Sequence, residues 1–580
     1  MTTKAATNGN LDPEANVKRS SSESFSSKAR KEDASCHLLL LNFVSVYWKS
    51  LIVVLWPIIL LPLIILSNDK MYRCLYVVAL MAMYWVTEVI PLPVTGLIPV
   101  LLYPLMGVMD TAKTCQCFMN DTTMMFIGSL VIAVAIEHSG LHMRVALLII
   151  KTIGCSHRKL SLGLFFVTMF ISMWISNTAA TAMMLPIVET VLMELEAQGL
   201  GKMFVQDEDS DDDSDSTKRP TKLTMSYYLA AAYASSLGGI GTLVGTGTNL
   251  TMKGIYEARF PKSPGINFAA WMAYAVPAML IMGLLTWLWL QVMYTGLFRS
   301  RSEEARAIDI GEEGETVASR VIEAKYQELG PITWHESVVG AIFVGIVLLW
   351  FFRKPDFIDG WPTYVTDLTV KDSTSVVGII LLLFVLPARL DFLKAFSRNP
   401  SKRPRKQAPG LICWKIINQK MHWGLIFVLG GGFAIAAGSQ SSGLSSMLGH
   451  ALIGLKPMSP IVILFFVTVF AETATELTSN VAVANIILPV LAELAVAIHI
   501  HPLYLMVPAS LGCSFSFHLP VGTPPNAIVS AAGRIKTKDF VVAGIGPSVI
   551  VAVIVTATFA TLAGKRAGKM LLQVFHYVLS

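Results

Sequence analysis

Charge is what this sequence is short of. Only 14% of its 580 residues are Asp, Glu, Lys or Arg, against about 25% in ordinary soluble domains. So little charge does not cover a soluble protein of this length. A single anchor with a large soluble remainder is excluded as well, because apolar runs recur along the whole chain. Cysteine is also scarce, seven in all and scattered. Cys115 and Cys117 form a lone CxC with no second pair or histidine cluster to complete a metal site, so the cysteines read as small apolar fillers. The first 35 residues are rich in Ser, Lys and Glu and lack the apolar core of a signal peptide. They read as part of a disordered cytoplasmic tail over 1–45. No Walker motif, dinucleotide fingerprint or catalytic triad appears. Nothing therefore supports ATP coupling, a cofactor or an enzyme, and the net charge of +6 calls for no nucleic-acid partner.

What the chain has is 54% hydrophobic residues, in runs near the roughly 20 needed to cross a bilayer. The reading is an all-α polytopic membrane protein with about eleven spans and two re-entrant hairpins. The spans fall near 47–66, 73–90, 91–108, 123–150, 224–258, 268–296, 334–352, 373–388, 422–455, 502–533 and 538–564. The hairpins fall near 160–195 and 458–495. With the N-terminus inside, the basic loops lie inside too, as the positive-inside rule requires. They hold Lys151, Arg158 and Lys159, then Arg299, Arg301 and Arg306, then the cluster from Lys394 to Lys406, and then Arg534, Lys536 and Lys538. The tail residues Lys565, Arg566 and Lys569 disagree, since an odd span count puts them outside. The acidic run 207–215 (DEDSDDDSD) lacks the spacing, glycine and closing glutamate of a calcium loop. It reads as a solvated loop over 205–221.

The halves of the chain echo each other. Ser176-Asn177-Thr178 and Ser479-Asn480-Val481 stand 303 positions apart, as do Leu185-Pro186 and Leu488-Pro489. A second motif follows each, Thr246-Gly247-Thr248-Asn249 and Thr523-Pro524-Pro525-Asn526. A third echo is Ser139-Gly140-Leu141 against Ser442-Gly443-Leu444. The pattern reads as inverted-repeat architecture, which places a substrate site near the midplane between the halves.

A break at membrane depth is tolerated only where protein or a water-filled cavity satisfies the backbone. A hairpin tip does this. Its free N–H groups and helix N-terminus favour an anion, while its carbonyls suit a cation. Asn supplies a donor and an acceptor, and Ser and Thr hydroxyls adapt to either. Gly245 and Gly247 permit close backbone approach, and Pro524-Pro525 forbids a continuous helix. Neither tip carries Lys or Arg. Lys253 and His518 are the nearby basic candidates for meeting a substrate's charge, set against snorkelling or structural roles. Glu88, Glu189, Glu472 and Glu476 read mainly as braces, Glu476 for the second hairpin. Gly430-Gly431-Gly432 reads as a close helix contact. Of two glycosylation sequons, Asn249-Leu250-Thr251 lies in the membrane site and is rejected. Asn120-Asp121-Thr122 lies too near a span to be favoured.

The stretches 84–92 (YWVTEVIPL), 173–186 (MWISNTAATAMMLP), 245–249 (GTGTN), 429–434 (LGGGFA), 476–481 (ELTSNV) and 519–529 (LPVGTPPNAIV) together resemble the divalent anion:sodium symporter family. These are carriers of dicarboxylates, citrate and sulfate, and among them is an insect plasma-membrane citrate carrier. The resemblance covers nearly the whole chain from about residue 45. It implies a homodimer working by an elevator. The scaffold would comprise 46–158 and 334–456. The transport domain would comprise 159–296 and 457–564, with a cytoplasmic linker at 297–333 and a tail at 565–580. It puts Ser176, Asn177, Thr178, Thr246, Gly247, Asn249, Ser479, Asn480, Val481, Thr523, Pro524 and Asn526 at substrate or cation positions. Sodium sites, if the carrier is coupled, would lie near Asn177 and Asn480. This sequence departs from the coupled pattern, which reads GTGPN for GTGTN and LPVATPPN after Met for LPVGTPPN after His518. That pattern also has an apolar residue for Lys253. A basic group beside a cation site repels sodium and replaces its charge. The expectation is sodium-independent exchange of citrate and succinate-like dicarboxylates, with sodium-coupled symport as the alternative.

Overall fold

The computed structural model describes residues 36–65, 67–153, 156–199, 202–206, 218–263, 265–299, 311–354 and 358–562. The tail before residue 36, the acidic run 207–215 and the tail 565–580 lie outside them. The chain divides into two units, Met1–Ile59 and Leu60–Ser580. Helix α1 (Cys36–Ile65) begins in the first, inside the stretch read as tail. The site lies wholly in the second.

That second unit opens with α2 (Lys70–Thr87), α3 (Leu92–Gly96), α4 (Ile98–Leu105), α5 (Thr111–Phe118), α6 (Asp121–Ser139) and α7 (Leu141–Ile153). A helical hairpin follows, α8 (His157–Ser172) and α9 (Asn177–Ala197). Two short antiparallel strands, β1 (Phe204–Gln206) and β2 (Lys218–Pro220), flank the acidic run. Then come α10 (Lys222–Gly238), α11 (Gly247–Arg259), α12 (Phe268–Tyr294) and α13 (Gly311–Glu328). The second half begins with α14 (Trp334–Phe351), α15 (Asp372–Val385), α16 (Asp391–Lys394) and α17 (Trp414–Lys420). It continues with α18 (Gly424–Ser442), α19 (Leu444–Leu452) and a second hairpin, α20 (Pro460–Thr475) and α21 (Asn480–Ala497). It closes with α22 (Leu503–Gly512), α23 (Pro524–Gly533) and α24 (Thr537–Leu562).

Helices dominate because a bilayer offers backbone groups no partners, so each span must satisfy its own. Among the described residues, eight helices are long and apolar enough to cross. Their ends are capped by the means the sequence provides. Asn120, Ser156, Thr221 and Asn267 accept from backbone N–H groups of the first turns of α6, α8, α10 and α12. Thr333 and Glu336 form a reciprocal capping box on α14.

Five of the spans read from the sequence are broken. Those at 123–150 and 422–455 bend at Gly140 and Gly443, whose φ of +77° and +81° suits glycine. The repeated Ser-Gly-Leu is therefore a repeated break. Those at 224–258 and 502–533 open between α10 and α11 and between α22 and α23. The span at 91–108 is two short helices, and α5 lies in a stretch left unassigned. The segment read as a linker carries α13, whose Glu323 lies 2.5 Å from Lys151 of α7. Just beyond it, the buried Arg144 donates to Glu336 at 3.1 Å and to the carbonyl of Gly330 at 3.0 Å. Ala318 and Ile322 of α13 are buried in the apolar core, with polar contacts beside them; an apolar stripe on one face gives no continuous run, which is why hydropathy missed it.

The glycine triplet does what its spacing suggests. A Cβ at Gly431 would sit 2.7 Å from the Gly96 Cα, and one at Gly430 would strike Phe118. One at Gly432 would strike the Asn485 amide. Helix α18 thus has α3 and α5 on one side and α21 on the other.

Candidate functional site

Each hairpin turns at its Ser-Asn motif, and in both the Asn is the first residue of the returning helix. Ser176 caps α9, its Oγ accepting from Ala179 N at 3.3 Å. Ser479 occupies the same place before α21 without a side-chain cap bond. The two Asn side chains are held alike. Ser172 Oγ lies 2.8 Å from Asn177 Oδ1 and 2.7 Å from the Ser235 carbonyl. Thr475 Oγ1 lies 2.8 Å from Asn480 Oδ1 and 2.9 Å from the Cys513 carbonyl. Ser172 and Thr475 stand 303 positions apart, the same displacement as the tips.

A hydroxyl has one proton and cannot donate to two oxygens. Both contacts are satisfied if the hydroxyl donates to the backbone carbonyl and the Asn amide is turned so that its nitrogen donates to the hydroxyl. Amide orientation is decided by such networks. Each tip then presents a free amide oxygen.

The second pair of motifs is built the same way. Asn249 Nδ2 donates to the carbonyls of Gly239 at 3.3 Å and Thr242 at 2.8 Å. Asn526 Nδ2 donates to those of Ser516 at 3.0 Å and Leu519 at 3.1 Å. In both halves the acceptors lie ten and seven residues before the Asn. The amide hydrogens hold the broken loop in shape, satisfying carbonyls that the missing helix turn leaves free. Both Asn side chains are fully buried, and both Oδ1 atoms lack a hydrogen-bond partner. Thr246 and Thr523 are extended, at φ −142° and −151°, immediately before α11 and α23.

The halves meet here. A Cβ on Gly247 would lie 2.8 Å from Val481 Cγ2, so the first-half loop touches the second-half tip. Thr248 Oγ1 lies 2.5 Å from Ser514 Oγ, and Ser510 Oγ donates to the Thr248 carbonyl at 3.1 Å. A Cβ on Gly239 would come within 2.5 Å of the Asn177 side-chain amide, so the loop also passes directly against its own tip. Of the residues singled out from sequence, Thr178 is half-buried on α9 and Pro524 is exposed at the start of α23.

Glu476 braces the second hairpin as expected. Its carboxylate accepts from the backbone N–H groups of Phe517, His518 and Leu519 at 2.6, 3.0 and 3.1 Å, and from Ser516 Oγ at 2.8 Å. His518 Nδ1 stands 3.1 Å from the same carboxylate. The first-half counterpart, 303 positions earlier, is Met173, whose carbonyl accepts from Thr242 Oγ1 at 2.6 Å. Tip two alone therefore carries a carboxylate–imidazole pair.

Lys253 is not the free positive charge that its position suggested. It is buried on α11, with Nζ 3.0 Å from Asp372 Oδ2 on α15 and 3.9 Å from Glu257. Arg353 also binds Asp372. Lys371 joins Asp121 at 3.0 Å and Glu257 at 3.6 Å. Burial opposes the Lys371 charge, but Asp121 and Glu257 outweigh it and raise its pKa. A buried cation needs a partner; Glu257 is one turn on along α11, but Asp372 lies 119 positions away, which is why sequence spacing did not show it. Ser172 and Thr475 were also missed, although their common displacement was there to be read.

A family model described as the sodium:sulfate symporter transmembrane region matches residues 44–571. The chain is 47% identical to the Drosophila melanogaster "Protein I'm not dead yet" over 88% of each chain. It is 38% identical to the Mus musculus Na(+)/citrate cotransporter, over 86% of this chain and 92% of that one. It is 37% identical to the mouse Na(+)/dicarboxylate cotransporter 3, over 86% and 89%. Among solved structures, the Alcanivorax borkumensis YdaH transporter aligns at TM-score 0.48 and 14% identity, over 80% of this chain and 87% of that one. That likeness is too loose to argue from.

Proposed function

The chain belongs to the sodium:sulfate symporter family of membrane transporters, and on that footing we propose that it carries citrate and C4-dicarboxylates such as succinate. The observation that bears most of the weight is the pair of Ser-Asn tips, each opening a helix and each holding its Asn by the same hydroxyl. Two helix N-termini offer unpaired N–H groups and positive dipole ends to two carboxylates. The relatives named for citrate and dicarboxylate transport support the same substrate class.

The working mode is exchange without sodium, in a plasma membrane, by a homodimer whose transport domain moves against its scaffold. The transport domain comprises residues 159–296 and 457–564. His518 supports this mode, because its ring stands 3.1 Å from the Glu476 carboxylate and takes the place of a cation at tip two. Sodium-coupled symport is the second reading. The buried, unpartnered Oδ1 atoms of Asn249 and Asn526 favour it, as do the amide oxygens freed at Asn177 and Asn480. Such oxygens are the ligands a hard cation takes.

Uptake of labelled citrate into proteoliposomes, with external sodium replaced by choline and with or without internal succinate, separates the readings. Exchange predicts uptake in choline that internal succinate accelerates. Uptake only in sodium, with no acceleration, establishes symport. An anion channel gives uptake without acceleration in either medium. No citrate or succinate uptake in any medium rejects the substrate class.

A further inference from the structure

The loop between α15 and α17 carries the strongest basic cluster in the sequence, and its base is fixed. Pro387 and Gly410 form an antiparallel bridge. Ala388 N donates to the Pro409 carbonyl at 2.9 Å, and Leu411 N to the Leu386 carbonyl at 2.8 Å. Trp334 Nε1 donates to the Pro387 carbonyl at 3.1 Å, which ties the base to the start of α14. Trp414 packs beside Phe384 and Trp423. Trp334 and Trp414 are both exposed. Exposed indoles grouped at the ends of apolar helices mark the level of a membrane–water interface.

From that level the loop projects apolar side chains that are more than half exposed. Phe392 is 53% exposed, Leu393 56% and Phe396 87%. Beside them, Asp391 already serves Arg389 at 3.2 Å and Lys394 at 2.9 Å. Arg398, Arg405 and Lys406 are exposed and have no carboxylate within reach among the described residues. A cavity of about 640 Å³ opens at the base, lined by Arg389, Arg405 and Lys406 together with Asp391, Phe384 and Phe392.

Water alone suits the cations and not the rings. A bare hydrocarbon surface suits the rings and not the cations. An anionic bilayer surface suits both, since phosphates lie at the depth of the cations and acyl chains just below. We propose that the 387–410 loop docks on anionic phospholipids of the leaflet it faces. Phe392, Leu393 and Phe396 enter the acyl region. Arg398, Arg405 and Lys406 meet the headgroup phosphates, one of which seats in the basic cavity. This proposal does not depend on the identity of the transported substrate.

Hydrogen–deuterium exchange on the full chain in nanodiscs tests it. Discs of phosphatidylcholine alone are compared with discs also containing phosphatidylserine. The expected result is several-fold slower exchange of the 388–410 amides in the anionic discs, and loss of that difference at high salt. Each basic residue near an anionic surface is worth roughly fivefold in binding. An Arg398→Gln, Arg405→Gln, Lys406→Gln chain should therefore show no difference between the discs. Equal exchange of the wild-type loop in both discs overturns the proposal. So does a protected loop in the triple variant. Equal protection in neutral discs by soluble inositol hexakisphosphate also overturns it, by showing a soluble polyanion site instead.

Discussion

At the scale of single residues, the two tips differ by the Glu476–His518 pair, which stands at tip two. Asn177 and Asn480 are held by a hydroxyl that also reaches a backbone carbonyl, so each is aimed by a pair of bonds. Asn177→Ala and Asn480→Ala should each abolish uptake in a chain that still elutes as a folded species. Ser172→Ala and Thr475→Val remove only the aiming bond. One hydrogen bond is worth about 1 kcal/mol, so each should weaken apparent citrate affinity about fivefold. Near wild-type uptake in either Asn variant would remove the tips from the site. The carboxylate–imidazole pair exists only at tip two. If the His518 ring on Glu476 stands in for a cation, His518→Met should lose exchange in choline and regain some uptake in sodium. A purely structural His518 would lower expression and leave the ratio of choline to sodium uptake unchanged.

At the scale of elements, breaks and close approaches matter more than helices. The loop before α11 and the tip before α21 touch through Gly247 and Val481. Gly247→Ala should therefore disturb the second-half tip and cut the uptake rate, although Gly247 belongs to the first half. Val481→Ala in the same chain removes the methyl that the new Cβ would strike and should restore part of the rate. Failure of the second change to help would mean that Gly247 is needed for its own backbone and not for the contact. Gly140 and Gly443 make the opposite case. Both have positive φ and open space around them, so their requirement is conformational and has no steric neighbour to relieve.

At the scale of the molecule, Lys253 and Asp372 join α11 to α15, elements that fall in the proposed transport domain and scaffold. Asp372 also holds Arg353, so Lys253→Met leaves the carboxylate a partner and should lower the thermal midpoint only moderately. Asp372→Asn strands both cations, at a cost of about 3–5 kcal/mol, and should lower it sharply. If citrate affinity falls in Lys253→Met while the midpoint holds, Lys253 serves the substrate after all. The elevator makes a separate demand. Cysteines placed on α11 beside Asn249 should change their labelling rate with substrate, and cysteines on α15 should not. Equal changes at both would argue for a rocking motion of the whole.

Composition and the spacing of apolar runs determined the membrane class, because the bilayer fixes both the length of a span and its lack of charge. The recurrence of Ser-Asn, Leu-Pro and Ser-Gly-Leu at one displacement determined the repeat and both tips, because each repeated break needs the same few residue types. The sequence also held the brace at Glu476 and the close approach at the glycine triplet. Four other features came only from the tertiary structure. Helices were broken where polar side chains re-satisfy the backbone, a balance that hydropathy cannot weigh. Helix α13 was docked by the buried Ala318 and Ile322, with Lys151–Glu323 beside them. Gly247 was set against Val481. Lys253 was neutralised by Asp372, 119 positions away. Each depends on which distant segments come to lie side by side, and a buried charge or a bare backbone finds its partner only when the chain has packed.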